Sequence, residues 1–272
     1  VHKVLRPRHG LAQLKLEELW TYRELVFFLA WRDVLVRYKQ TAIGVAWAII
    51  RPVVPMIIFT FVFGRLAKFP TGSIPYPIFA LAGLLPWQLF STAFGEASSS
   101  VVSNAQLVSK VYFPRLIIPI SSVVTALVDF AVSLALLFVL MLWYRVPVSV
   151  HVVWAIPILL LCLLFALGTG VWFAALFVRY RDIRHVIPFV VQMGLYVSPV
   201  GFASSVIPER WRFLYSLNPM VGVIDGFRWS LFGGAQPPYA AALVISIVVA
   251  IMILIAGMYY FRATERIFAD II

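Results

Sequence analysis

The stretch "VSKVYFPRLIIP", residues 108–119, lies between two long apolar runs. Into a greasy chain it brings Lys110, a Pro114-Arg115 pair and a second proline, Pro119, after which the apolar run resumes. Runs of about 20 apolar residues cross a bilayer as helices, because a rise of 1.5 Å per residue must cover about 30 Å of hydrocarbon. Residues 102–116 therefore read as a short polar-flanked loop between two membrane spans.

Composition agrees with that reading along the whole chain. Of 272 residues 62% are hydrophobic and only 12% charged, with a mean hydropathy of +0.96. A soluble domain carries about 25% charged residues, so this chain has too little polar surface to face water. The fold class is an all-α polytopic membrane protein, since lipid offers backbone groups no partner outside a helix. Six spans are predicted: 42–63, 77–101, 117–143, 152–178, 186–201 and 240–261, the fifth being the shortest. Together they make one transmembrane domain over 1–272, with the bundle in 42–261 and a tail at 262–272.

Two segments stand outside the spans. Residues 14–40 pattern as an amphipathic helix, with Leu16, Trp20, Phe27, Ala30, Val34 and Tyr38 on one side. Glu17, Glu18, Glu24, Arg32 and Lys39 gather opposite, while Arg23 and Arg37 depart from the pattern. Such a helix lies in the membrane interface. Residues 202–239 hold apolar pieces too short to cross, 211–217 and 219–232, broken at Asn218-Pro219. They predict two short helices that re-enter the membrane or lie on its far side.

The net charge of +11 raises the question of nucleic acid. A nucleic-acid binder clusters its basic residues on a soluble face; here they fall between apolar runs, as on the cytoplasmic side of a membrane protein. With the N-terminus inside, sixteen of the 22 Lys and Arg lie on or near the cytoplasmic side, which orients both termini toward the cytoplasm. The loops 102–116 and 179–185 ("RYRDIRH") are then cytosolic. Arg179, Arg181 and Arg184 fit plain positive-inside anchors. The first loop does not, because Val108, Val111, Tyr112 and Phe113 put apolar bulk where a loop should be polar. That composition suits a surface buried by a partner.

Catalytic chemistry has no foothold. His2, His9, His151 and His185 show no metal-ligand spacing, and the lone Cys162 allows no intrachain disulfide. No GxxxxGK[ST] phosphate loop is present, so ATP is not bound in that manner by this chain. No secretory cleavage pattern follows the basic start. An ion-coupled carrier needs ionisable groups within the membrane. Asp129 alone sits well inside a span, with Glu96 near a span end and Asp225 in the broken segment, and a helix-packing role for Asp129 is the competing reading. Asp225 and Arg228 are spaced to pair at i,i+3 as a structural contact. Of the many aromatics, Tyr38, Trp47, Trp87, Tyr196 and Phe202 stand near the ends of a path where sugar rings stack; the alternative for each is an interface anchor.

The ordered motifs resemble a known family. "RDVLVRYKQTAIGVAWAIIRPVVPMIIFTFVFG" (32–64) is similar to the start of the ABC-2 type permeases that export polysaccharides. "LVSKVYFPRLIIP" (107–119) and "RYRDI" (179–183) look like that family's two cytosolic loops. "SPV" (198–200) looks like the end of its fifth span, and "NPM…DGFR" (218–228) like its extracytoplasmic segment. The nearest likeness is to the Wzm-type O-antigen permeases, with capsule and wall teichoic acid permeases close by. The resemblance implies a homodimer in the bacterial inner membrane carrying two separate Wzt-like ATPase subunits, which use ATP and Mg; this chain itself binds no cofactor. It implies a lipid-linked glycan as substrate, an interface helix beside a lateral gate, and re-entrant helices closing the outer end. ATPase docking then falls to Val108, Lys110, Val111, Tyr112, Phe113, Pro114 and Arg115, with Arg179, Arg181, Asp182 and Arg184 facing the same partner. Asn218, Pro219, Asp225 and Arg228 belong to the gate segment. Arg51, a charge inside the first span, departs from the family and either meets a substrate phosphate or snorkels to the cytosolic face. Three alternatives from other classes are an ion-coupled carrier, a membrane-embedded transferase and a structural anchor.

Overall fold

The computed structural model describes residues 16–39, 46–233 and 239–268. Lys3, Arg6, Arg8, Lys15, His2, His9, the first residues of the expected span 42–63 and the end of the 262–272 tail lie outside the described residues. So do the side chains of Leu16, Glu17, Glu18 and Arg266.

Every regular element among the described residues is a helix. Five helices are long and apolar enough to cross a membrane. The first joins α3 (Ala46–Phe59) to a π-helical turn, Thr60–Leu66. The others are α4 (Tyr76–Ser103), α6 (Ile117–Trp143), α7 (Ala155–Arg179) with its leading 3₁₀ turn, and α11 (Ala240–Thr264). Between them lie α5 (Ala105–Lys110) and α8 (Ile183–Val197). The 202–239 segment holds α9 (Glu209–Tyr215) and α10 (Pro219–Phe232), the two short helices expected there. Ahead of the bundle come α1 (Leu16–Thr21) and α2 (Arg23–Lys39).

The centre of the bundle is α4, which packs against α7, α6, α10 and α3. It is the least hydropathic of the five long helices and by far the most buried; α11 is the most hydropathic and largely exposed. Lipid tails are as apolar as leucine, so greasiness does not drive a helix inward; small residues and internal hydrogen bonds do. A Cβ on Gly170 of α7 would come within 2.6 Å of Ala97 on α4, and one on Gly257 within 2.3 Å of the Gly168 carbonyl. Aromatic rings fill the remaining centre: Phe90 stacks on Phe165 at 4.8 Å, and Phe94 meets Phe173 edge-on at 5.1 Å. Hydroxyls inside the helices bond back to their own turns, as Ser98 does to Phe94 O and Thr125 to Ser121 O.

With 15 residues, α8 rises about 22 Å, short of a bilayer core. The expected span 186–201 is therefore a shorter helix starting at Ile183, followed by non-helical chain from Ser198 to Ala203.

The face that α2 turns inward differs from the one drawn from the sequence. Leu25, Val26, Leu29 and Ala30 pack on the bundle, as does Tyr22 just ahead of the helix, whereas Phe27, Phe28 and Trp31 are exposed, as is Trp20 of α1. The helix carries two apolar faces, one for protein and one turned outward, and a single periodicity cannot separate them.

Candidate functional site

At the end of the bundle where α4 finishes, a second core gathers. Leu29 of α2, Val101 of α4, Val171 and Val178 of α7, and Phe261 and Phe268 of the C-terminal segment surround Val108, Phe113 and Leu116. The 104–116 loop is thus anchored from inside its own chain. Phe113 is 6% exposed and Val108 is also buried, so neither reaches outward as the sequence suggested. Past the end of α5, Phe113 plugs the core while Tyr112, 85% exposed, points away beside the exposed Val111 and Lys110. Arg115 holds the C-terminal segment: Nη1 donates to Glu265 O, and its guanidinium lies 5.9 Å from the Phe268 ring. Arg179, Arg181, Asp182 and Arg184 are exposed at the same end.

Several turns deeper, charged groups converge from α2, α3, α4 and α6. Arg37 of α2 donates to Glu96 of α4 and, at 2.6 Å, to Asp129 Oδ2 of α6. Tyr38 donates its hydroxyl to the other Asp129 oxygen, and burial together with this bond pushes that phenol up to about 12. Nearby, Arg32 Nη2 bonds Asn104 Oδ1 at 3.0 Å, tying α2 to the start of the loop. Asp129 is thus engaged as a packing carboxylate, and Arg37, which breaks the amphipathic pattern of its helix, is its counter-ion. Arg51 Nη1 stands 4.0 Å from Asp129, with the side chain 63% exposed.

Arg51 and Asp129 open into a cavity of about 220 Å³ between α3, α4 and α6. Gln88, Ser91, Thr92 and Ser133 supply its polar wall, and Gln88 Nε2 donates to Arg51 O at 3.2 Å. Along α4 the half-buried positions 88, 91, 92, 95, 96 and 99 make one hydrophilic stripe.

At the opposite end, Arg228 is buried in α10 and 6% exposed. It donates to the carbonyls of Pro199 (2.7 Å), Val200 (2.6 Å), Phe202 (3.1 Å) and Phe79 (3.3 Å), and lies 3.8 Å over the Phe79 ring. Tyr76 donates to Gly201 O, and Asn218 Nδ2 to Ser198 Oγ at 3.0 Å. The non-helical chain after α8 thus has its carbonyls satisfied by side chains, the condition for irregular backbone at membrane depth. Asn218 caps α10 by accepting from Met220 N, and Pro219 occupies the first turn. The i,i+3 spacing of Asp225 and Arg228 leaves the two in electrostatic reach, but the salt bridge does not close: the Arg228 guanidinium turns to the backbone carbonyls.

The sequence profile described as "ABC-2 type transporter" matches residues 24–232. The chain belongs to the ABC-2 type transporter family. An O-antigen export system permease protein, RfbA, of Myxococcus xanthus is 30% identical over 93% of this chain and 97% of its own length. A protein of the same name from Klebsiella pneumoniae is 27% identical over 92% and 95%. The polysialic acid transport protein KpsM of Escherichia coli is 24% identical over 75% of this chain and 79% of its own.

In this ABC-2 permease the motifs distant in sequence meet in space. "SPV" and "NPM…DGFR" form the Ser198–Asn218–Arg228 knot, and the "RY" of the first motif supplies Arg37 and Tyr38 to the charge cluster. Of the residues proposed to line a path, Tyr38, Arg51, Trp47 and Tyr196 retain exposure, and Arg51 lines the polar cavity. Trp87 does not: it is buried against Gly194, whose Cβ would sit 2.5 Å from the ring. Phe202 packs between Phe69 and Tyr215. Gln88, Ser91 and Thr92 were not singled out from the sequence, although their three- and four-residue spacing with Glu96 and Ser99 marks one polar helix face.

Proposed function

We propose that this chain is the membrane subunit of an ABC exporter that moves a lipid-linked polysaccharide of the O-antigen kind out of the bacterial cytoplasm. Two copies form the path, and two separate ATPase subunits, which bind ATP and Mg, drive it. Both termini face the cytoplasm, α8 with its irregular extension makes the sixth crossing, and α9 and α10 close the outer end. The exposed aromatic face of α2 rests on the inner-leaflet interface.

The observation that carries this reading is the likeness to O-antigen permeases along almost the full length of both chains. Geometry adds support. Tyr112, Val111 and Lys110 project from a loop that is rigidly rooted through Phe113, so a push on the loop is transmitted into α2, α4, α7 and α11. Arg179, Arg181, Asp182 and Arg184 widen the docking surface. The polar stripe of α4 with Arg51 gives hydroxyl-rich sugar a wet wall inside an apolar bundle. A capsular glycan is the second substrate reading, favoured by the KpsM match. The ion-coupled reading loses its support, because Asp129 is held by Arg37 and Tyr38.

The test is transport into inside-out membrane vesicles containing the permease and its ATPase. Uptake of lipid-linked glycan requires ATP and persists when ion gradients are collapsed. Uptake that follows the ion gradient without ATP contradicts the proposal.

A further inference from the structure

At the bundle end away from the 104–116 loop, α9, α10, the start of α11 and residues 71–74 enclose a cavity of about 440 Å³. That size falls in the range of about 300–1,000 Å³ typical of small-ligand sites. Its wall mixes aromatic rings with polar groups: Trp229, Tyr215 and Tyr239 beside Asp225, Ser204 and Arg212.

The state of these polar groups selects the ligand. Arg228 is spent on four backbone carbonyls. Arg212 donates to Ile207 O at 3.3 Å and stands 3.7 Å from Glu209, which leaves guanidinium N–H groups for a ligand. Asp225 lines the cavity too, and a carboxylate has about four lone-pair sites to offer hydroxyl donors. Among the described residues the Tyr215 hydroxyl is buried without a hydrogen-bond partner, an unfavourable arrangement unless something meets it. Trp229 is half-buried, backed by His151 at 4.8 Å. A ligand rich in hydroxyl groups, with an apolar face for an aromatic ring, fits this wall: Asp225 and Tyr215 meet its hydroxyls and Trp229 its ring.

We propose that this cavity binds one or two sugar rings, and that it holds glycan units at the outer end of the path against slipping back. The placement at the outer end rests on the export reading above; the binding itself does not.

The probes are mannose, galactose and their disaccharides, added to the full chain with its ATPase in lipid nanodiscs and followed by saturation-transfer difference NMR. The expected result is a saccharide signal that weakens at least tenfold in affinity with Asp225→Asn, and that is lost when Ser205→Trp fills the exposed rim. ATPase co-purification reports that each variant is folded. Absence of signal from the assembled wild-type complex overturns the proposal and leaves the permease assignment intact. Signal unchanged by both variants overturns it as well. Signal abolished by phosphatidylethanolamine in the nanodisc, relative to phosphatidylglycerol alone, assigns the cavity to a lipid ammonium headgroup and also overturns it. A chain that binds sugar but never takes an ATPase defeats the export reading and leaves the site.

Discussion

Neighbouring residues in this chain have opposite tasks, and single substitutions separate them. Phe113→Ala removes a ring from the core at the loop end and is expected to destabilise the protein by about 3 kcal/mol or more, read as a lower melting temperature in detergent. Tyr112→Ala, at a side chain touching solvent, leaves that temperature unchanged. Composition announces that 108–113 is too apolar for a loop, but not which residues point out, because the chain here is irregular and has no period that assigns side chains to faces. Arg228 shows the same limit. Its i,i+3 spacing with Asp225 suggests a local pair, whereas its partners, the carbonyls of Pro199, Val200 and Phe202, arrive from the non-helical chain after α8. Gly83 exists for that contact: a Cβ there would lie 2.2 Å from Arg228 Nη2 and 2.7 Å from Val200 O. Gly83→Ala is expected to cost about 1–3 kcal/mol through overpacking, measured by thermal unfolding of the purified permease. No loss of stability would show that the Arg228 knot yields easily.

Among the elements, α2 is held by charge as well as by packing. Arg37 reaches two carboxylates on two different spans, all three side chains being about a quarter exposed. Removing it leaves Glu96 facing Asp129 without their shared cation. Arg37→Ala is expected to loosen α2 by about 1–3 kcal/mol, seen as faster amide hydrogen exchange over 23–39 with α4 and α7 unaffected. Exchange unchanged over 23–39 would mean that Leu25, Leu29 and their neighbours hold the helix alone. Long spans were legible within a few residues, since lipid imposes length and apolarity on each independently. The orientation of α2 was not, because apolar residues facing lipid and apolar residues facing protein look alike in sequence. Arg23 and Arg37 on the supposed apolar side were the signal that the wheel had more than two faces.

For the whole molecule, the sequence order of spans says nothing about which one sits at the centre. The burial of α4 follows from its small and polar residues, which lipid does not reward and close helix packing does. The same polar residues supply the stripe that meets Arg51 and Asp129, so the central helix serves both the core and the hydrophilic cavity. The central claim is that this chain, with no phosphate loop of its own, is driven by a separate ATPase seated on Tyr112. The most direct test is the mass of the complex purified in detergent after co-expression with that ATPase, for the wild type and Tyr112→Ala. The account predicts two permeases with two ATPases in the wild type, and ATPase lost from a stably folded Tyr112→Ala permease. A wild-type permease that purifies without ATPase, or a Tyr112→Ala complex as tight as the wild type, would contradict it.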